Sequence, residues 1–217
     1  MKVNTDGVLL GAWIDADGTQ WILDVGTGTG LIAIMLAQRT TALIDAVEID
    51  QNAAEQARQN AEASPWYDRI TVYHASFQEF ALKTTSRYDL IVSNPPYYHN
   101  ALKSITKSRT AARHAVSLDY QNLIDYSEKL LAPEGKLYVI VPFDISDVFI
   151  DHVCLNELYV HRCMKVRSTA SKQPSRMILE FSREKKYRPH SSELTIMLDD
   201  SRSYTEEYKN LTVEYYL

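Results

Sequence analysis

The chain holds only two cysteines, Cys154 and Cys163, in 217 residues. Their spacing matches no metal-ligand pattern and leaves no second pair, so neither a disulfide framework nor a zinc site has support. Both are expected to be buried or inert thiols, and no metal is expected. Long apolar runs are also missing: stretches such as Leu137 to Pro142 fall far short of the roughly 20 residues a membrane span needs, and no signal-peptide pattern opens the chain. A cytoplasmic protein without membrane attachment is expected. Positive charge is in deficit, with 23 Lys and Arg against 28 Asp and Glu and a net charge of −5, so the average field repels nucleic acid.

What is present suits one globular domain. With 45% hydrophobic residues, the chain can bury one sizeable core, and a single domain over 1–217 is expected. Within it, 1–20 reads as an opening segment, 98–116 as an insertion and 187–217 as a carboxy-terminal appendage. The cations are unevenly spread. Ala101 to Ala115 carries Lys103, Lys107, Arg109 and Arg113 with no acid, and Arg162 to Arg188 carries nine Lys or Arg against Glu180 and Glu184. Such runs are either a basic binding face or simply a solvated one.

Short apolar runs alternate with helix-forming stretches. Strands are expected at Trp21 to Val25, Leu43 to Ile49, Ile70 to Tyr73, Tyr88 to Ser93, Leu137 to Val141, Tyr159 to Val166 and Met177 to Ser182. Helices are expected at Leu31 to Gln38, Asn52 to Ala63, Phe77 to Leu82, Leu118 to Leu131 and Ile145 to Leu155. Pro133-Glu134-Gly135 ends the fourth helix, and the tail holds a possible strand at Glu193 to Leu198 and a helix from Thr205 to Leu211. This alternation predicts an α/β fold: a doubly wound, mostly parallel seven-stranded sheet with helices on both faces and the last strand antiparallel.

Asp24-Val25-Gly26-Thr27-Gly28-Thr29-Gly30 falls where strand one meets the first of these helices, the position at which open α/β sheets bind ligands. A glycine-rich turn alone is also compatible with a structural loop or a nicotinamide site. Asp24 helps to discriminate: a carboxylate two residues before Gly26 sits poorly beside a pyrophosphate but well beside a sulfonium or an ammonium. Glu48 follows Gly30 by 18 residues, near the spacing for a carboxylate that accepts ribose hydroxyls, and Asp50 competes for the role. After strand three, Ser76 suits an adenine amino group and Phe77 suits stacking on its ring, unless the pair is an ordinary loop with a core Phe.

Strand four runs into Asn94-Pro95-Pro96-Tyr97. Adjacent prolines fix the backbone, aiming the Asn94 side-chain oxygen and the Pro95 carbonyl into the cleft. The lone pair of an adenine or amide nitrogen is delocalised, so two acceptors must hold its hydrogens while that pair turns toward an electrophile; alignment by itself supplies several kcal/mol. Tyr97, backed by Tyr98, can stack on a planar acceptor, worth roughly 1–3 kcal/mol per base. The string also reads as a rigid turn when taken alone. His114 and the tyrosines Tyr204, Tyr208, Tyr215 and Tyr216 fit packing better than catalysis.

With both motifs in place, the chain resembles class I methyltransferases of the Asn-Pro-Pro-Tyr group across nearly its whole length, and within them the bacterial tRNA1(Val) adenine-37-N6 methyltransferases. Lys2 to Trp13, Ile44 to Glu48, Ser64-Pro65-Trp66 and Asn94 to Tyr98 carry the resemblance. It implies S-adenosylmethionine as cofactor, held by Thr5, Asp6, Asp24, Gly26, Gly28, Gly30, Glu48, Ser76, Phe77 and Asn94. It implies tRNA as partner, contacted by Tyr97, Tyr98, Lys103, Lys107, Arg109 and Arg113, with no obligatory protein partner. The implied reaction is methyl transfer to adenine N6, with Asn94, Pro95, Pro96 and Tyr97 as catalytic residues. Such proteins carry a few tens of residues before the opening segment, so a truncated amino terminus is expected. Other planar nitrogens, a protein glutamine amide or guanine N2 of rRNA, stay open as acceptors. So does a non-catalytic module that binds S-adenosylmethionine and RNA.

Overall fold

The computed structural model describes residues 5–96, 120–200 and 202–215. Its elements in chain order are α1 (Thr5–Trp13), β1 (Trp21–Val25), α2 (Leu31–Arg39), β2 (Leu43–Glu48), α3 (Gln51–Glu62), β3 (Ile70–His74), α4 (Phe77–Lys83) and β4 (Tyr88–Ser93). They continue as α5 (Tyr120–Leu130), β5 (Leu131–Pro142), α6 (Ser146–Leu155), β6 (Tyr159–Arg167), β7 (Arg176–Ser182), β8 (His190–Thr195) and α7 (Glu206–Thr212).

Among the described residues the strands form one sheet in the order β3-β2-β1-β4-β5-β7-β6-β8. The chain winds outward from β1 in one direction through β2 and β3, then returns to place β4 on the other side of β1. The ladders β1–β2, β1–β4, β2–β3 and β4–β5 are parallel, while β7 runs antiparallel between β5 and β6. This agrees with the expected antiparallel seventh strand. The sheet has one strand more than the seven expected: β8 pairs parallel with β6, Arg162 opposite His190 and Arg167 opposite Thr195. It lies three residues earlier than the predicted Glu193 to Leu198. His190-Ser191-Ser192 is polar, and Leu194 is the one β8 residue in the core, so hydrophobic patterning offered little sign of an edge strand.

Each face of the sheet carries its own core. Leu9, Leu10, Ile22, Leu36, Ile44, Tyr138, Ile178 and Tyr208 pack on the α1–α2–α7 side, and Leu23, Val47, Phe80, Leu123, Val139, Phe149 and Phe181 on the α4–α5–α6 side. Tyr208 is 1% exposed, so the segment 187–217 contributes to both the core and the sheet. Tyr204 and Tyr208 stack on each other with centroids 4.7 Å apart. The helix α5 passes directly into β5 at Leu131, and Pro133-Glu134-Gly135 forms a bulge opposite Tyr88 to Leu90. That stretch does not end the helix, as the sequence suggests, but lies within the strand, with Leu131 already paired to Tyr88.

Within the opening segment, Thr5–Trp13 forms the helix α1. Gly11 lets α1 approach α2, because a Cβ there would meet the Met35 side chain at 2.8 Å. The far end of α2 is fixed by Arg69, whose guanidinium donates to the carbonyls of Ala37 at 2.7 Å, Thr40 at 2.7 Å and Ala42 at 3.3 Å. A cation there satisfies last-turn carbonyls and complements the helix dipole. Arg69→Ala is expected to lower unfolding free energy by about 2 kcal/mol, because charged hydrogen bonds to half-buried carbonyls are lost; urea denaturation measures it.

Candidate cofactor and acceptor site

Parallel strands β1, β2 and β4 end at one edge of the sheet, and the candidate residues gather there. The chain leaves β1 through Gly26, Gly28 and Gly30, with φ of 70°, 60° and 83°. A side chain would strain each of these left-handed conformations. The turn is hydrogen-bonded to β2: the Gly26 and Thr27 amides donate to the Val47 carbonyl at 2.8 and 3.1 Å, and the Gly28 amide donates to Glu48 Oε2 at 2.8 Å.

Glu48 Oε1 accepts the amides of Ile49 and Asp50, each at 2.9 Å. Three backbone donors therefore occupy a carboxylate with about four acceptor sites. Asp50, the competing acid, is engaged elsewhere, because its side chain caps α3 by accepting the Ala53 amide at 2.8 Å. Of the two, Glu48 reaches the glycine turn.

Asp24 sits beneath that turn at 1% exposure. Gly30, the N-cap residue of α2, offers no side-chain cap, and Asp24 supplies one from β1. Its Oδ2 accepts the Ala33 amide at 3.1 Å and the Thr27 hydroxyl at 2.6 Å. Its Oδ1 is buried and has no hydrogen-bond partner among the described residues. Burial pushes the carboxyl up to about 7, against the pull of the Thr27 and Ala33 hydrogen bonds, and nearby Glu48 adds to the rise. Sequence reasoning identified the acid but missed Thr27, whose hydroxyl is its closest partner; the signal was a Thr between two glycines.

Asn94, Pro95 and Pro96 leave the sheet at the end of β4, beside the turn. Val25 stands opposite Ser93 in the β1–β4 ladder, and the Ser93 hydroxyl donates to the Val25 carbonyl at 2.9 Å. Asn94 is half-buried, Pro95 buried and Pro96 exposed. Tyr97, Tyr98, Lys103, Lys107, Arg109 and Arg113, with His114, lie outside the described residues.

Thr5 and Asp6 open α1, and Asp6 accepts from Arg176 Nε at 3.0 Å. Since Arg176 starts β7 opposite Pro142 at the end of β5, this ion pair draws the amino end of α1 to the same sheet edge. Arg176 had no place in the sequence reading, because only the antiparallel return of β7 brings it there.

Two expected cofactor contacts have other work. Ser76 is the N-cap of α4 in a capping box with Glu79: its hydroxyl accepts the Glu79 amide at 3.2 Å and donates to the Glu79 carboxylate at 2.9 Å. Phe77 is 5% exposed and meets Tyr126 edge-on at 5.9 Å. Its ring therefore fills the core between α4 and α5 and does not stand in the cleft as a stacking surface. The physical reason is that the first apolar residue of an amphipathic helix is drawn to the core.

The donor set fits S-adenosylmethionine. An unpartnered, buried carboxylate oxygen under a glycine turn suits a cationic ligand and would repel a pyrophosphate.

Comparison with known proteins agrees with this geometry. Residues 3–147 match the family profile described as methyltransferase small domain. A relative from Parabacteroides distasonis named tRNA1(Val) (adenine(37)-N6)-methyltransferase is 44% identical over 217 residues, covering 100% of this chain and 91% of its own length. One of the same name from Photorhabdus laumondii is 44% identical over 219 residues, covering 100% and 89%. Among solved structures, one named as a predicted O-methyltransferase from Agrobacterium tumefaciens superposes with a TM-score of 0.75 at 18% identity, over 96% of each chain. A Thermus thermophilus 16S rRNA N2 G1207 methyltransferase in complex with AdoMet and guanosine superposes with a TM-score of 0.61 at 20% identity, over 84% of this chain and 44% of that one. The glycine turn under a buried acid, the Asn-Pro-Pro exit beside it and full-length identity to these relatives lead to one assignment: the chain belongs to the methyltransferase small domain family, within the bacterial group named tRNA1(Val) (adenine(37)-N6)-methyltransferase.

Proposed function

We propose that the protein transfers the methyl group of S-adenosylmethionine to the exocyclic N6 amino group of an adenine in tRNA, at position 37 of a valine tRNA. The observation that carries this reading is the exit of Asn94-Pro95-Pro96 directly beside the Gly26 to Gly30 turn, strand against strand. Full-length relatives that carry this name supply the identity of the acceptor. Unmodified tRNA places the work in the cytoplasm. Among the described residues no helix is long and apolar enough to cross a membrane.

When bound, S-adenosylmethionine supplies an electrophilic methyl on its sulfonium. The chain's own part is to hold and orient. Glu48 would receive the ribose: with Gly28, Ile49 and Asp50 amides already on its carboxylate, it keeps acceptor capacity for a hydroxyl. Asp24 meets the positive charge, and α1, drawn in by Asp6 and Arg176, covers this edge. Asn94 Oδ1 and the Pro95 carbonyl each accept one N6 hydrogen, which turns the nitrogen lone pair toward the methyl. Neither acceptor is a base. Once N6 is methylated its surplus proton is strongly acidic and leaves to water. Tyr97 stacks on the extruded adenine, offsetting the unstacking cost of a few kcal/mol. Tyr98 supports it, and Lys103, Lys107, Arg109 and Arg113 hold phosphates.

Incubation with unmodified tRNA and methyl-labelled cofactor, followed by nucleoside mass spectrometry, is expected to give N6-methyladenosine; label confined to guanosine, or no label at all, overturns the reading. Asn94→Ala is expected to lower kcat by about 10²–10³-fold, the usual cost of one oriented polar contact in a reacting site, while the S-adenosylhomocysteine Kd changes less than about twofold. Glu48→Ala is expected to raise that Kd by about 10–100-fold through loss of a charged acceptor. Asp50→Ala should leave the Kd nearly unchanged and cost about 1 kcal/mol of stability as a lost helix cap.

A further inference from the structure

Folding divides the basic stretch from Arg162 to Arg188. Five of its nine cations are engaged within the protein. Arg162 pairs with Glu180 and lies over the Trp13 ring, Arg167 pairs with Glu193, Arg176 with Asp6 and Arg183 with Glu128, and Lys165 stands over the Phe143 ring. Three of the other four, Lys185, Lys186 and Arg188, fall together in the β7–β8 connection, residues 183–189, and all three are exposed. Set between Lys186 and Arg188, Tyr187 is 96% exposed. An isolated exposed ring needs no explanation. A ring interleaved with cations has the composition of a nucleic-acid contact, in which cations hold phosphates and the flat face stacks on a base.

The connection is held at its base. Arg183 donates to the carbonyls of Glu128 at 2.6 Å and Ala132 at 2.9 Å, and β8 joins β6 from His190 onward. The Lys185 ammonium lies 5.3 Å from the Tyr159 ring centre, and Pro189 disfavours helical backbone at Arg188. Glu184, the acid of this segment, faces His161 at 3.5 Å. Lys186, Tyr187 and Arg188 therefore stand on a fixed footing, which lowers the ordering cost of binding. Since β7 leaves the cofactor edge at Arg176 and runs antiparallel to β5 as far as Ser182, the connection lies at the opposite edge of the sheet. At about 3.3 Å per residue the separation is roughly 20 Å, so a base seated beside Asn94 does not itself reach it.

We propose that the Lys185-Lys186-Tyr187-Arg188 segment is a second docking site for the RNA, holding its phosphate backbone at the edge of the sheet opposite the acceptor base, with Tyr187 stacked on an exposed base. This rests on the reading of the acceptor as an adenine in tRNA. A net charge of −5 repels RNA only on average; within a Debye length of about 8–10 Å the local cations prevail. The segment supplies affinity and no chemistry. Contacts made equally in the ground and transition states lower KM and leave kcat alone.

Fluorescence anisotropy with unmodified tRNA, from about 50 to 200 mM salt, tests the docking site. In Lys185→Gln/Lys186→Gln/Arg188→Gln the Kd should rise about tenfold or more at the low-salt end. The slope of log Kd against log salt should fall by about 2–3, because each phosphate contact contributes about 0.7–0.9. Tyr187→Ala should weaken binding by about five- to tenfold, with Tyr187→Phe close to the wild type. In turnover the triple variant should show a raised KM for tRNA, while kcat at saturating tRNA and the S-adenosylhomocysteine Kd stay within about twofold. Its urea midpoint should not move, since these side chains are exposed. A triple variant whose tRNA Kd and salt slope equal those of the wild type overturns the proposal, as does a loss confined to kcat. If the wild type neither binds tRNA nor forms N6-methyladenosine in it, the acceptor reading itself fails, and this proposal with it.

Discussion

The site depends on one buried carboxylate. Asp24 ends β1, replaces the missing N-cap of α2 through the Ala33 amide and fixes the glycine turn through the Thr27 hydroxyl. Strand, turn and helix are thus tied at a single side chain. Burying an acid is costly, and the fold keeps it where one helix-terminal amide, that of Ala33, and the Thr27 hydroxyl offset part of that cost. The result is a turn held in one conformation over a buried carboxyl.

The neighbouring strands extend this arrangement. From β2, the Val47 carbonyl and the Glu48 carboxylate take three amides of the turn. On the other side, Ser93 of β4 is hydrogen-bonded to Val25, so the Asn94 exit and the cofactor turn share a rigid boundary. A reaction that relies on aligning a weak nucleophile with a tethered methyl gains most from such a boundary, because alignment contributes only if neither partner drifts. The ion pair of Asp6 with Arg176 brings α1 to the same edge from a point 170 residues away in sequence.

Much of this was legible beforehand, for physical reasons. Gly26, Gly28 and Gly30 marked a turn between strand and helix, and Asn94-Pro95-Pro96 marked a stiff exit from a strand. Apolar runs such as Ile22 to Val25 and Leu90 to Val92 marked the central parallel strands because those strands are buried on both faces. Weaker patterning misled. The polar edge strand β8 has a single core side chain, so its placement shifted by three residues. Ser76 and Phe77 left two readings open from sequence, cofactor contacts or an ordinary loop with a core Phe; the structure puts the serine in a capping box and the phenylalanine in the core between α4 and α5.

The sequence by itself determined the alternation of strands and helices and the turn chemistry, since these depend on local backbone preference and side-chain type. Tertiary structure alone decided partnership and environment. It gave the glycine turn to Glu48 and left Asp50 to cap α3. It brought Arg176 to Asp6, made Tyr208 part of the core and enclosed Asp24 so completely that its proton is held to about 7. Burial and long-range contact are properties of the packed whole, and no stretch of sequence contains them.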